Sequence, residues 1–224
     1  MPPPPLLLGI VTGLAAEARL ARPLGLVQAG GGTPEGAAAA AEALIARGAA
    51  ALLSFGLAGG LDPALPPGAL VIPRTLKTTE GDYAIDTALA SRFGTPAGAL
   101  FAAAQPVATV EEKAALFAAT GTLAVDLESG AVARTAQAHN LPFAVLRAVC
   151  DPAGRALPPA ALAALDAGGA IAPFRVAASL LRHPGQIRPL ALLASDAAVA
   201  RAALRGAVRQ SAAWESDGSS SPGR

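Results

Sequence analysis

Residues 125–154 read VDLESGAVARTAQAHNLPFAVLRAVCDPAG, and their pattern decides the fold class. The apolar run Leu123–Asp126 predicts a strand, Ser129–His139 a helix closed by Asn140, and Pro142–Cys150 a second, almost wholly apolar strand. A strand apolar on both faces belongs inside a parallel sheet covered by helices. Strand, helix and strand in succession is the repeating unit of an α/β protein.

The same alternation extends toward the N-terminus. Leu6–Thr12 predicts a strand, Ala15–Arg22 a short helix and Leu26–Ala29 a second short strand. Thr33 is placed to cap a helix that has Pro34 at its first position and stops at Gly48. Ala50–Gly56 predicts a strand entering a small-residue turn at Leu57–Gly60, and Ala69–Pro73 another strand. Residues 74–95 have no clean period and predict a loop with a short helix. Gly98–Ala104 predicts a strand, after which Thr109 and Glu112 form a capping box that opens a helix to Thr120. Beyond Pro152 the pattern turns helical, over roughly 158–167, 170–182 and 189–209, and the Ser, Gly and Pro of 216–224 predict a disordered tail. One domain over residues 1–215 is expected, since a chain of this length buries a sizeable core.

Composition removes several function classes. The 224 residues are 53% hydrophobic and 15% charged, and 17 basic against 16 acidic side chains leave a net charge of +1. That balance gives no field that would hold nucleic acid. Mean hydropathy is +0.47. Even so, the uncharged run Phe93–Val110 contains two prolines and two glycines, a poor spanning helix. The N-terminal MPPPPLLLGIVTGLAA has no basic start and carries proline where a signal helix would form, so it reads as containing a buried strand, while the single cysteine fits a reducing cytoplasm best. Cys150 is the single cysteine, which excludes an internal disulfide framework, and the isolated His139 and His183 offer no metal-ligand cluster. No P-loop, G-x-S-x-G, C-x-x-C or H-E-x-x-H pattern is present, and the glycines at 30–36 do not fit the Rossmann fingerprint. Neither a metal nor an organic cofactor is expected.

The chemistry must therefore come from charges at the ends of apolar segments, where open α/β sheets bind ligands. Glu17 lies beyond the first strand, Asp126 and Glu128 flank Leu127 where a strand becomes a helix, and Asp151 ends the strand PFAVLRAVC with Arg147 four residues earlier. Taken alone, these residues suit solvated loop charges or a helix cap equally well.

Together they resemble something more specific. VDLESGAVARTAQAHNLPFAVLRAVCDPAG resembles the E-M-E-x-x-A…N-x-P-F-x-x-x-R-x-x-x-D stretch of the nucleoside phosphorylase and adenosine-type nucleosidase superfamily. GIVTGLAAEARLA is similar to that family's first strand and following glutamate, and SFGLAGGLDPALPPGALVIP to its G-x-A-G-G-L turn. The resemblance covers residues 6–152 and implies a three-layer α/β fold with a twisted mixed central sheet flanked by helices. It also implies cleavage of a purine N-glycosidic bond. By that resemblance Asp151 protonates the leaving purine, Glu128 binds the ribose hydroxyls, and Leu127 packs under the sugar. Arg147 lies near the attacking water or phosphate, Glu17 is the base that activates water, and Gly59 and Gly60 let the backbone approach the ligand. Such a reaction passes through an oxocarbenium-like state, so the leaving base must be neutralised and the sugar's positive charge stabilised. An acid at the end of an apolar strand is held protonated by burial, whereas Glu17 nearer solvent would stay ionised.

Two departures make the expected pocket more apolar: Leu57 replaces a serine, and Val107 stands at the position aligned with a stacking phenylalanine. A third is a long helical C-terminus with no obvious polar group for the far end of the sugar. The segments TGLAAEARLA, AVDLESGAVA, RAVCDPA and LRHPGQ resemble the hopanoid-associated phosphorylases. That resemblance implies adenine release from adenosylhopane, an adenosyl-lipid. Small purine nucleosides such as methylthioadenosine or S-adenosylhomocysteine are the alternative substrates, and an inactive nucleoside- or lipid-binding protein is the alternative class. Phosphate is the one co-substrate the resemblance allows: a carboxylate at Glu17 argues for water, and the family name with Arg147 argues for phosphate.

Arg201, Arg205 and Arg209 recur every four residues along one helix stripe, with Leu193, Leu204 and Val208 on another face. The stripe suits either a wet helix face or peripheral contact with an anionic inner-membrane surface. The resemblance further implies a homo-oligomer, a dimer being the simplest form. Cys150 ends an apolar strand with no histidine nearby in sequence, the setting of a small buried hydrophobe.

Overall fold

The computed structural model describes residues 6–162, 182 and 184–218. Its strands are β1 (Leu8–Thr12), β2 (Leu26–Ala29), β3 (Ala51–Gly60), β4 (Leu70–Val71), β5 (Thr75–Lys77), β6 (Asp82–Ala84), β7 (Ala99–Ala102), β8 (Ala124–Asp126) and β9 (Phe143–Asp151). Its helices are α1 (Ala15–Ala21), α2 (Pro34–Ala46), α3 (Thr87–Ser91), α4 (Val110–Thr120), α5 (Ser129–Ala138), α6 (Pro159–Leu162) and α7 (Ile187–Gly218).

The strands form one mixed sheet in the order β2-β1-β3-β8-β7-β5-β6, with β9 paired to β3 and β4 to β9. β1, β2, β3 and β9 run parallel, whereas β8 meets only the far end of β3, antiparallel, through Gly59 and Gly60. β3 is thus shared between two halves of the sheet. Its first six residues and the first seven of β9 are buried, as expected of strands covered on both faces. α2 and α5 cover one side, and Ala200, Leu204, Ala207 and Val208 of α7 join the same core from its long helix.

Local signals explain most boundaries. Thr33 Oγ1 accepts the Gly36 N–H at 3.1 Å with Pro34 following it, so α2 starts there. The capping box at α4 is complete: Thr109 accepts from Glu112 N–H, and the Glu112 carboxylate accepts from Thr109 N–H. Gly121 ends α4 at φ 64°, and Asn140 follows α5 at φ 54°, both in the left-handed region that terminates helices.

Three expectations are corrected. Leu57–Gly60 is not a turn but the continuation of β3, because β8 and β9 both supply backbone partners there. Residues 74–95 hold the β5–β6 hairpin as well as α3, two strands of three residues each being too short to show a period. The C-terminal helix runs from Ile187 to Gly218, so residues 216–218 are helical rather than part of a loose tail. The expected helix over 158–167 is present over Pro159–Leu162; the rest of it, and most of the expected 170–182 helix, lie outside the described residues. Along α7, Arg205 and Arg209 are exposed opposite the buried Leu204 and Val208. No helix among the described residues is long and apolar enough to cross a membrane.

Replacing Thr109 by alanine should remove the cap of α4 and lower stability by about 1 kcal/mol, a fall in melting temperature of roughly 2–4 °C for a chain of this size. Thermal unfolding followed by circular dichroism measures it, and an unchanged midpoint would show that the cap is not what starts α4.

Candidate active site

The charged residues of the sequence converge where the carboxyl ends of β3, β8 and β9 meet. The register of β3 against β9 shifts between Ala58 and Gly59, so that Gly59 stands opposite Asp151. A bulge of this kind re-aims side chains at a strand end. Here a pocket of about 190 Å³ opens, lined among the described residues by Leu57, Gly59, Val107, Leu127, Glu128 and Asp151 together with Ala58, Pro106, Val125, Asp126, Cys150 and Leu157. Its walls are mainly apolar, and its acidic groups come from two strand ends.

Beneath that pocket lies a buried electrostatic cluster. Arg147, 1% exposed, donates from Nη2 to Asp126 at 2.5 Å, to Glu128 at 2.9 Å and to Ser54 Oγ at 2.8 Å. Its Nη1 donates to the Leu57 carbonyl at 3.3 Å. Ser129 Oγ, at the start of α5, donates to Asp126, binds Ser54 Oγ at 2.9 Å and completes the ring. Glu17 joins from α1: its Oε2 accepts the Leu14 N–H at 2.9 Å and its Oε1 the Leu57 N–H at 3.1 Å.

Two glycines make the packing possible. A Cβ at Gly56, where φ is 155°, would lie 2.7 Å from Arg147 Nη1 and 2.8 Å from Glu17 Oε2. A Cβ at Gly13 would lie 2.6 Å from Glu128 Oε1 and 3.6 Å from Glu17 Oε2, so the two glutamates flank one glycine.

The electrostatics follow from burial opposed by pairing. Burial raises Glu17 above the usual carboxylate range, against the charge of Arg147 and its backbone donors. Burial likewise pushes Glu128 up to about 7, Arg147 opposing and Asp126 and Glu17 adding to the rise. Burial disfavours the charge of Arg147, but Asp126, Glu128 and Glu17 outweigh it and keep the guanidinium firmly protonated. Asp151 is raised by burial, with the Lys113 hydrogen bond and charge and, more weakly, Arg155 pulling it down. Burial first, then Asp151, pushes the Cys150 thiol up to about 12, so it remains a thiol and no nucleophile.

Sequence reasoning placed Glu17 and Gly60 differently. Glu17 is not nearer solvent: it is 2% exposed, because α1 folds its first turn back over the end of β3. Arg147 binds Asp126, Glu128 and Ser54 from within the cluster. Gly60 does not line the pocket; a Cβ there would meet Val149 Cγ1 at 3.0 Å, so its smallness serves strand packing.

Lys113, Ser54 and Ser129 went unread. Lys113 is fully buried on α4, with Nζ 2.6 Å from Asp151 Oδ2. In the sequence it is the third of three consecutive charges, Glu111-Glu112-Lys113, the look of a solvated helix face. Its one distinguishing mark is rarity, since Lys77 and Lys113 are the only lysines among 17 basic residues.

The phosphorylase superfamily model matches residues 11–93 and 82–172. The chain belongs to the phosphorylase superfamily. No curated protein sequence matches. Among solved structures, native futalosine hydrolase of Helicobacter pylori strain 26695 is similar at a TM-score of 0.65 and 16% identity, over 91% of this chain and 98% of that one. The 5′-methylthioadenosine/S-adenosylhomocysteine nucleosidase from Helicobacter pylori, with butyl-thio-DADMe-Immucillin-A, is similar at 0.64 and 16% identity, over 90% and 97%. The S-adenosylhomocysteine nucleosidase from Streptococcus pyogenes, in complex with 5-methylthiotubericidin, reaches 0.58 and 19% identity over 66% and 85%. At these identities the likeness is one of fold.

Replacing Arg147 by methionine leaves Asp126, Glu128 and Glu17 buried without their cation, which should cost roughly 3–5 kcal/mol. Carboxylates whose folded pKa lies above the unfolded one lose stability as pH rises toward the folded value. The Arg147→Met deficit should therefore be larger at pH 8 than at pH 5, as measured by urea unfolding at both. A deficit independent of pH would contradict the cluster's electrostatics.

Proposed function

We propose that this protein hydrolyses the N-glycosidic bond of an adenine nucleoside, with a nucleoside joined to a large apolar group, an adenosyl-lipid such as adenosylhopane, as its substrate. One observation carries the reading: Asp151, raised by burial toward its protonated form, shares an apolar pocket with Glu128, which rests on Arg147. An acid for the leaving base and a carboxylate for the sugar are what this cleavage requires.

In the reaction Asp151 gives its proton to a ring nitrogen of the purine as the C1′–N bond breaks, so the base leaves neutral. Positive charge grows on the ribose beside Glu128, which in its ionised form stabilises that charge and accepts hydrogen bonds from the sugar hydroxyls. Water adds to C1′ and passes a proton to Glu17. Glu17 must be ionised for this step; burial raises its pKa, while Arg147 and the Leu14 and Leu57 N–H groups oppose that rise. The products are adenine and the free sugar carrying the apolar group.

Water is favoured over phosphate by the charge count. Arg147 faces Asp126, Glu128 and Glu17, so one guanidinium is already shared among three carboxyl groups. A phosphate dianion entering beside them would meet repulsion with no free cation from this cluster. The lipid substituent is supported by Leu57, Val107, Leu127 and Leu157 in the pocket wall. A cavity of about 190 Å³ is below the roughly 300–1,000 Å³ of sites that enclose a whole drug-sized ligand, so a large substituent would extend out of it. The same acid and clamp would also serve methylthioadenosine or S-adenosylhomocysteine, and the experiment compares them.

Purified protein incubated with adenosine, methylthioadenosine, S-adenosylhomocysteine and adenosylhopane should release adenine at rates independent of added phosphate. The highest kcat/KM is expected for adenosylhopane. Asp151→Asn should lower kcat by about 10²–10⁴-fold. A sugar 1-phosphate product would overturn the choice of water, a preference for methylthioadenosine would overturn the lipid, and release of adenine from none would leave a binding protein.

A further inference from the structure

Asp151 is held by a partner that no other step of the mechanism uses. Lys113, fully buried, directs its ammonium to four oxygens: Asp151 Oδ2 at 2.6 Å, the Arg155 carbonyl at 2.8 Å, the Pro152 carbonyl at 3.2 Å and the Asp151 carbonyl at 3.3 Å. An ammonium has three protons, so these oxygens occupy all of its donor capacity and Lys113 has none left for a ligand. Asp151 Oδ1, by contrast, is buried with no hydrogen-bond partner. One carboxyl oxygen is thus tied and the other is free, on a residue that forms the pocket wall.

We propose that Lys113 is the positioning residue of the acid: by holding Oδ2 it leaves Oδ1 as the oxygen that carries the proton and delivers it to the leaving base, and its charge stabilises the carboxylate left behind. This rests on Asp151 being the acid, as proposed above. In the transfer the Oδ1–H bond breaks, an N–H bond forms on the base, and the electron pair remains on the carboxylate. Lys113 keeps its own protons. Asp151 regains a proton from water after the products leave.

The geometry gives this pair a role that a loop fastener would not need. An uncompensated carboxylate in an apolar pocket is expensive, so an isolated buried acid is a weak one. A fixed ammonium at 2.6 Å lowers the cost of the conjugate base while burial still favours the protonated form at rest. The other charged groups around Asp151 act from farther off. Arg155 follows on the next loop and pairs with Asp196 of α7, and Asp126 and Glu128 face the same pocket from β8 and its end, both engaged by Arg147. Glu17 completes the cluster on Arg147, and Cys150 next in the chain stays neutral.

The clamp also ties the acid to the far wall of the pocket. Lys113 lies one turn into α4, whose N-terminal approach carries Pro106 and Val107. The Leu157 N–H donates to the Ala108 carbonyl at 2.8 Å, so the loop after Asp151 is joined both to the loop before α4 and, through Lys113, to α4 itself. The acid, Val107 and Leu157 therefore keep a constant relation across the space the base would fill.

The test uses Lys113→Met and Lys113→Gln in the full chain, the second keeping an N–H₂ donor for the carbonyls of Pro152 and Arg155 while losing the charge. The Asp151 carboxyl is followed by ¹³C NMR over pH without substrate, its signal identified by its loss in Asp151→Asn. Removal of the cation should move its titration upward by about one pH unit or more. With the best substrate of the panel above, kcat should fall by about tenfold or more, with KM changed much less and the alkaline limb of the kcat profile moved up in step. Should Lys113→Met fail to fold, Lys113→Gln decides the question. An Asp151 titration unmoved in the folded variants, or a kcat loss with an unshifted pH profile, would reduce Lys113 to a structural pin. Because the titration needs no substrate, it stands or falls separately from the choice of nucleoside.

Discussion

The guanidinium of Arg147 is the group around which the site is arranged. It sits in β9, the strand paired along nearly all of β3, and reaches Asp126 at the end of β8, Glu128 before α5 and Ser54 in β3. Glu17 at the start of α1 feels the same charge. Side chains from separate strands and helices share one cation in a place with almost no water. Such a cluster is strongly disrupted by losing a member, although its net contribution to folding is small once desolvation is counted. Its value lies in holding several carboxylates close together without their repelling the fold apart.

The acidic groups answer to two different cations. Carboxylates beside Arg147 are drawn toward the ionised form even as burial resists it, whereas Asp151 depends on a different cation at the other side of the pocket. Burial raises Glu17, Glu128 and Asp151 alike, and two separate buried cations, Arg147 and Lys113, oppose that rise at different carboxylates. Leu57, Val107 and Leu127 line the same cavity and keep its dielectric low, which strengthens both cations' hold on their carboxylates.

Much of the fold was legible because its signals are local. The apolar runs of β3 and β9, the Thr33 and Thr109 caps and the left-handed stops at Gly121 and Asn140 each act within a few residues. The β5–β6 hairpin was not legible, since strands of three residues held by a turn around Thr78 and Gly81 carry too little pattern. The continuation of β3 through Leu57–Gly60 was hidden for a different reason. Those small residues look like a turn until β8 and β9 supply hydrogen-bond partners on both sides.

By itself the sequence determined the α/β class, the strand-end positions of Glu17, Glu128 and Asp151, and the apolar character of Leu57 and Val107, because each depends on residue type and near neighbours. Only the tertiary structure decided what those groups touch. It buried Glu17, placed Arg147 at the centre of a carboxylate cluster, and brought Lys113 across 38 positions onto Asp151. The physical reason is that charge pairing in a low-dielectric interior acts through space. A lysine in a run of charges reads as solvent-facing until the helix that carries it is laid against a strand end with an unpaired carboxylate.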